Sequence, residues 1–197
     1  MSPEINPFVI FLAAIFTSNM VLSNFLGMCP YISLSNEYKT ASGIGKAVTL
    51  VLVITSVVNY LIYYYIIEPL QLEYLRYIIF IIVIAAMVQI LEMAMDRYLP
   101  DLHRKLGIFL PLITVNCAIL GNVLFMIIRN YNFIQSVMFA FGSGIGWLLA
   151  IQALAAIREK IGKNKLPPGL EGAGITFIIT GLMALAFIGF SGMLPTQ

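Results

Sequence analysis

The chain has 197 residues, 60% of them hydrophobic and only 10% charged, and its mean hydropathy is +0.95. Globular domains carry about 25% charged and 45–50% apolar residues, so this composition excludes a soluble enzyme, a disordered tail and a nucleic-acid-binding domain. Eleven Lys and Arg against nine Asp and Glu leave a formal charge of +2, too little to attract a polyanion.

A hydrocarbon core of about 30 Å takes roughly 20 apolar residues per helix, and the apolar runs divide into six at charged or Pro/Gly-rich breaks. Met1 to Pro7 holds no Lys or Arg and bears Glu4, the wrong start for a cleaved signal. The first run is therefore expected to be kept as span 1, residues 8–34. Thr17-Ser18-Asn19, Ser23-Asn24 and Gly27-Met28-Cys29-Pro30 interrupt it. Span 2 is expected at 47–67, preceded by Ser42-Gly43-Ile44-Gly45, and span 3 at 75–95, where Glu92 is an acidic residue well inside an apolar run. Span 4, residues 106–128, is interrupted like the first, by Gly107, Pro111, Thr114, Asn116-Cys117 and Gly121-Asn122. Span 5 covers 133–157 and contains Ser143-Gly144-Ile145-Gly146; span 6 covers 173–193. Runs of this length without period-2 alternation predict helices rather than barrel strands. The expected fold is an all-α bundle of six transmembrane helices, one integral membrane domain over 1–197.

Charge sets the orientation. The loops after spans 1, 3 and 5 hold Lys39, Lys46, Arg97, Arg104, Lys105, Arg158, Lys160, Lys163 and Lys165, whereas the opposite side holds only Arg76 and Arg129. By the positive-inside rule both termini face away from the cytoplasm. The two halves also resemble each other. Ser-Gly-Ile-Gly at 42–45 recurs 101 residues later, Phe80-Ile-Ile recurs as Phe177-Ile-Ile 97 residues on, and the only cysteines, Cys29 and Cys117, lie 88 apart. Chance matches among abundant membrane residues are the alternative to a duplication. If three spans were duplicated, the second copy would enter from the opposite side, giving inverted repeats over about 8–95 and 106–193.

Paired interrupted helices in corresponding positions of two repeats point to a midplane site, and here both interrupted spans contain a cysteine. Cys117 would lie about 16 Å into span 4, but a straight span 1 would carry Cys29 about 31 Å, to the far face. The thiols meet only if span 1 is bent or unwound around Asn19 to Asn24, which is the expectation. A buried Cys in a membrane protein usually packs as an inert small hydrophobe. An iron–sulfur cluster needs four ligands, so two cysteines hold one only if a second, related chain supplies two more. Asn24, Thr114 and Asn116 flank the cysteines and could donate to cluster sulfurs or satisfy backbone freed by the breaks. Glu92 is a candidate for an ion or proton pathway, with snorkelling or pairing to Arg97 as the alternative. His103 has no ligand partner at metal spacing and is expected to be solvated. No Walker A loop, GxGxxG, CxxC, CxxCH or helical His pair occurs, so no nucleotide or haem site is indicated, and no Thr has the context of a covalent flavin site.

The segment Leu106-Gly-Ile-Phe-Leu-Pro-Leu-Ile-Thr-Val-Asn-Cys117-Ala, with Phe25-Leu-Gly-Met-Cys29, Val88-Gln-Ile-Leu-Glu92-Met, Ala156-Ile-Arg158-Glu159 and Thr180-Gly-Leu-Met-Ala-Leu-Ala-Phe, closely resembles the Rnf/Na+-NQR family of membrane subunits, in particular its A-type members from Rnf and E-type members from Na+-NQR. The likeness covers essentially the whole chain. It implies a six-helix component of a bacterial inner-membrane complex, built as an inverted repeat and paired with a paralogous subunit of opposite orientation, E-type in Rnf or D-type in NQR. It further implies that Cys29 and Cys117 ligate a [2Fe–2S] cluster with two cysteines of that partner, relaying electrons between cytoplasmic subunits and a flavin-carrying one, with redox change driving alternating access for Na+ or H+. Segments 88–126, 142–147 and 167–170 look more like the NQR type; the short connection Glu68 to Tyr74 and the pair Cys29-Pro30 look like Rnf. These two features favour an Rnf-type ferredoxin:NAD oxidoreductase, with the NADH:quinone type as the alternative. A small secondary transporter without a cofactor, or a scaffold for other redox subunits, would also account for the spans and the repeat.

Overall fold

The computed structural model describes residues 6–98, 110–162 and 172–189. All regular structure among them is helical. The segments 38–67, 73–94 and 133–161 are long and apolar enough to cross a membrane, while 112–128 and 173–188 are shorter apolar helices. His103, residues 106–109 of span 4 and the end of span 6 at 190–193 lie outside the described residues.

Helix α1 (Pro7–Ile15) starts with proline at its first position, where the missing N–H has no intrahelical role. The chain then leaves the helix for twelve residues, 16–27, before α2 (Met28–Ser33). Span 1 is therefore broken where the sequence is rich in Asn, Ser and Gly. Asn19, 1% exposed, staples the break: its Nδ2 donates to the Ile15 carbonyl at 3.0 Å, and its Oδ1 accepts the N–H groups of Val21 and Leu22 at 3.0 and 3.2 Å. One side chain thus satisfies a carbonyl at the end of α1 and two N–H groups within the interruption, as an apolar surrounding requires.

Helix α3 (Tyr38–Ile62) begins nine residues before the expected apolar span and continues through a π-helical turn, Tyr63–Ile67. After a connection containing Gln71 at φ 52° and a 3-10 turn at Glu73–Leu75, α4 (Arg76–Tyr98) follows. Span 4 is broken as well, into α5 (Leu110–Thr114) and α6 (Cys117–Ile128), with Val115 and Asn116 between them. Helix α7 (Phe133–Ile161) opens with a capping box of Asn132 and Gln135, and α8 (Ala173–Ile188) closes the described chain.

The core is built on α7, which packs along α3 and against α1. Ser42 meets Gln152, Gly45 faces Leu148, Thr49 faces Gly144, and the Tyr60 ring lies edge-on to Phe133. Position numbers rise on one helix as they fall on the other, so α3 and α7 run antiparallel. Both Ser-Gly-Ile-Gly motifs lie on this helix pair, where Gly45 and Gly144 allow close approach of the two helices, the usual device where no hydrophobic effect drives association. A β-carbon on Gly142 would sit 2.6 Å from the Phe11 carbonyl oxygen, which is how closely α1 lies on α7. By contrast α4 and α8 expose Tyr77, Ile78, Ile81, Ile82, Ile90 and Met93, and Phe177, Ile178, Leu182, Leu185 and Ile188. Such faces suit lipid or neighbouring subunits.

Candidate functional site

The two breaks meet. Gly27, at φ 80°, ends the irregular segment of span 1, and its N–H donates to Cys117 Sγ at 2.9 Å. Cys29 is the second residue of α2, two positions beyond that contact, and Cys117 is the first residue of α6. The separation that a straight span 1 would impose is removed by the twelve-residue interruption. Both thiols are exposed on the surface of the chain. Phe25, 57% exposed and at φ 55°, stands two residues before Gly27, and Val115, 75% exposed, two residues before Cys117.

Beneath the exposed sulfurs the packing is tight. A β-carbon on Gly27 would lie 2.8 Å from Trp147 Nε1, 2.9 Å from Ala118 Cβ and 2.9 Å from Asn116 Oδ1. Asn116 caps α6, its Oδ1 accepting the Ala118 N–H at 3.1 Å, which aims the positive end of that helix at the region of Cys117 and favours negative charge there. Asn116 Nδ2 and Trp147 Nε1 are buried with no hydrogen-bond acceptor among the described residues. Arg158 of α7 donates to the Ile32 carbonyl at 2.9 Å and to Ser35 Oγ at 2.6 Å, holding the C-terminal end of the short helix that carries Cys29.

Of the residues singled out from sequence, Asn116 lies against the Gly27–Cys117 contact. Asn24 is half-buried and directs its Nδ2 to the Asn19 carbonyl at 3.3 Å, serving the break itself. Thr114 is the half-buried last residue of α5, and Glu92 is half-buried on α4. Sequence reading missed Trp147 and Arg158 as supports of the site. Trp147 is the only tryptophan of the chain and fully buried, a signal that could have singled it out. Among the described residues no group of three or more His, Cys, Asp and Glu could hold a metal ion.

Residues 8–194 match the family described as Rnf-Nqr subunit, membrane protein. The E-type subunit of the Na+-translocating NADH-quinone reductase of Serratia proteamaculans is 56% identical over 190 residues, covering 93% of this chain and 96% of its own length. Its counterpart of the same name in Proteus mirabilis is 54% identical with the same coverage of each chain.

Proposed function

The chain belongs to the Rnf–Nqr family of membrane subunits, and from that premise we propose that it is the E-type subunit of a Na+-translocating NADH:quinone oxidoreductase, supplying Cys29 and Cys117 as half of the ligands of a [2Fe–2S] cluster shared with a paralogous subunit. As part of an ion-translocating oxidoreductase complex it is not catalytic alone. The NQR type is preferred to the Rnf type that the 68–74 connection and Cys29-Pro30 suggested, because those are two local features against identity at over half of 190 aligned positions. Pro30 also has a local reason to be there. It stands third in α2, in the first turn, where the absent N–H breaks no helical bond.

The observation that carries the cluster reading is the Gly27 N–H to Cys117 Sγ contact at 2.9 Å, which joins two distant interruptions and brings the backbone two residues before Cys29 against Cys117, both thiols being exposed. The donor set fits half a cluster: two exposed sulfurs, with exposed apolar Phe25 and Val115 close to them along the chain as surface for a second protein. Bound there, a [2Fe–2S] centre would supply one-electron relay. The chain's own part is positional. Asn19 maintains the break, Asn116 and the α6 terminus favour negative charge near Cys117, Gly27 donates to its sulfur, and Arg158 anchors the helix bearing Cys29.

We extend the reading to the architecture. A broken span followed by a long helix opens both halves, with α4 closing the first and the shorter α8 the second, and the antiparallel α3–α7 pair is consistent with an inverted duplication of three spans. With the positive-inside count this puts both termini outside the cytoplasm, in a bacterial inner membrane. Glu92 on α4 is assigned to the ion pathway. The decisive experiment replaces Cys29 or Cys117 by Ser in the whole complex. Loss of the cluster's EPR signal together with electron transfer is expected. Intact ion transport with no iron change would favour a secondary transporter, and full turnover in both variants would favour a scaffold.

A further inference from the structure

Halfway along α6 a polar layer is enclosed between two apolar ones. On α3, Thr55 and Asn59 are fully buried and Ser56 is 1% exposed; opposite them on α6, Asn122 is fully buried. The layer crosses between helices directly, Asn122 Nδ2 donating to Ser56 Oγ at 2.7 Å. On one side of it Leu52 and Ile119 belong to the main core; on the other, Tyr60 and Tyr63 pack in a cluster with Val123, Met126 and Ile127. Ser56 and Asn59 are three residues apart and share a helix face.

Two oxygens in this layer, Asn59 Oδ1 and Asn122 Oδ1, have no donor among the described residues. Asn59 cannot be relieved by turning its amide round. Its Nδ2 donates to the Thr55 carbonyl at 2.8 Å, and a carbonyl only accepts, so the nitrogen must face it and the oxygen is left over. Thr55 offers no proton either, since its Oγ1 donates to the Val51 carbonyl at 2.6 Å. Burying amide oxygens without donors is costly, most of all where no water competes, and two occur on neighbouring helices, one of them on the Asn122 amide whose Nδ2 meets Ser56 Oγ. Hard cations take oxygen ligands of this kind. None of the four side chains is charged, which suits a monovalent ion rather than a divalent one.

We propose that Asn59, Ser56 and Asn122 form a Na+ site between α3 and α6, an internal station on the ion's route. It rests on the ion-translocating reading above and adds residues that lie about 7.5 Å along α6 from Cys117.

The test uses the purified complex. Asn59→Leu and Asn122→Leu keep the number and branching of side-chain heavy atoms and remove the oxygen. Each is expected to weaken Na+ binding, measured with 22Na+, and to raise the Na+ concentration for half-maximal turnover, by tenfold or more. Wild-type Na+ dependence together with unchanged or raised thermal stability would overturn the proposal, because the oxygens would then be mere unsatisfied groups. Asn122→Asp covers the case in which the Leu variants do not assemble. Its carboxylate should make the unfolding temperature rise more in Na+ than in K+, and an equal response to the two ions overturns the site. A wild-type complex that moves no ion would instead refute the underlying ion-translocating reading, whatever the variants bind.

Discussion

Replacing Gly27 by alanine tests whether the junction of the two broken spans is built as described. Two separate penalties arise. Gly27 sits at φ 80°, a left-handed conformation that costs an L side chain about 1–2 kcal/mol. The added methyl would also lie 2.8–2.9 Å from Trp147 Nε1, Ala118 Cβ and Asn116 Oδ1. Trp147 and Ala118 are fully buried and Asn116 is held as the cap of α6, so none can retreat freely, and overpacking of this kind costs about 1–3 kcal/mol. Together these amount to about 3 kcal/mol, or near 10 °C in the thermal midpoint for a chain of this length, with the Gly27 N–H drawn away from Cys117 Sγ. Thermal unfolding of the solubilised complex measures it. Gly43→Ala is the control: it lies inside α3, its β-carbon would meet nothing within 4 Å, and the change should gain about 0.5–1 kcal/mol. An unchanged midpoint for the Gly27 variant, or an equal loss for Gly43→Ala, would refute the reasoning.

Asn19→Ala should cost about 3 kcal/mol, because it strips partners from the Ile15 carbonyl and from the Val21 and Leu22 N–H groups in a buried place. Asn19→Asp, which keeps the acceptor and loses the donor, should recover part of that in the same melting assay; equal loss in both would show that the staple is not the reason. In proteoliposomes, Glu92→Gln should lower ion transport more than electron transfer, since a carboxylate inside a span marks an ion path. Equal loss of both, or of neither, would remove Glu92 from that path.

Hydropathy and residue type anticipated much of this architecture. The interruption foreseen around Asn19 to Asn24 occupies 16–27, and the one before Cys117 falls at Val115 and Asn116, because Gly, Pro and Asn act locally on backbone hydrogen bonding. The start of α3 was not legible. Apolar runs report contact with hydrocarbon, whereas the helix itself extends back through Lys39 and Ser42 to Tyr38. Nor was the π turn at Tyr63–Ile67, since Tyr-Tyr-Tyr-Ile-Ile carries no signal that separates it from α-helix. At the site, the spacing of the cysteines along their spans required a break in span 1 for them to meet; the break is present, while the Gly27–Cys117 contact at its end had no sequence signal. The exposure of the thiols and the role of Trp147 depend on which helices pack beneath them, long-range information that no local pattern contains.

Helix α2 is only six residues long and is gripped at both ends: at its start by the contact of Gly27 with Cys117 of α6, at its end by Arg158 of α7. It is a strut between two larger bodies. A slide of α6 past α7 would have to tilt that strut, and the sulfur of Cys29 would swing with it while Cys117 stayed with α6. Any relative motion of the two helices thereby becomes a displacement of one sulfur relative to the other.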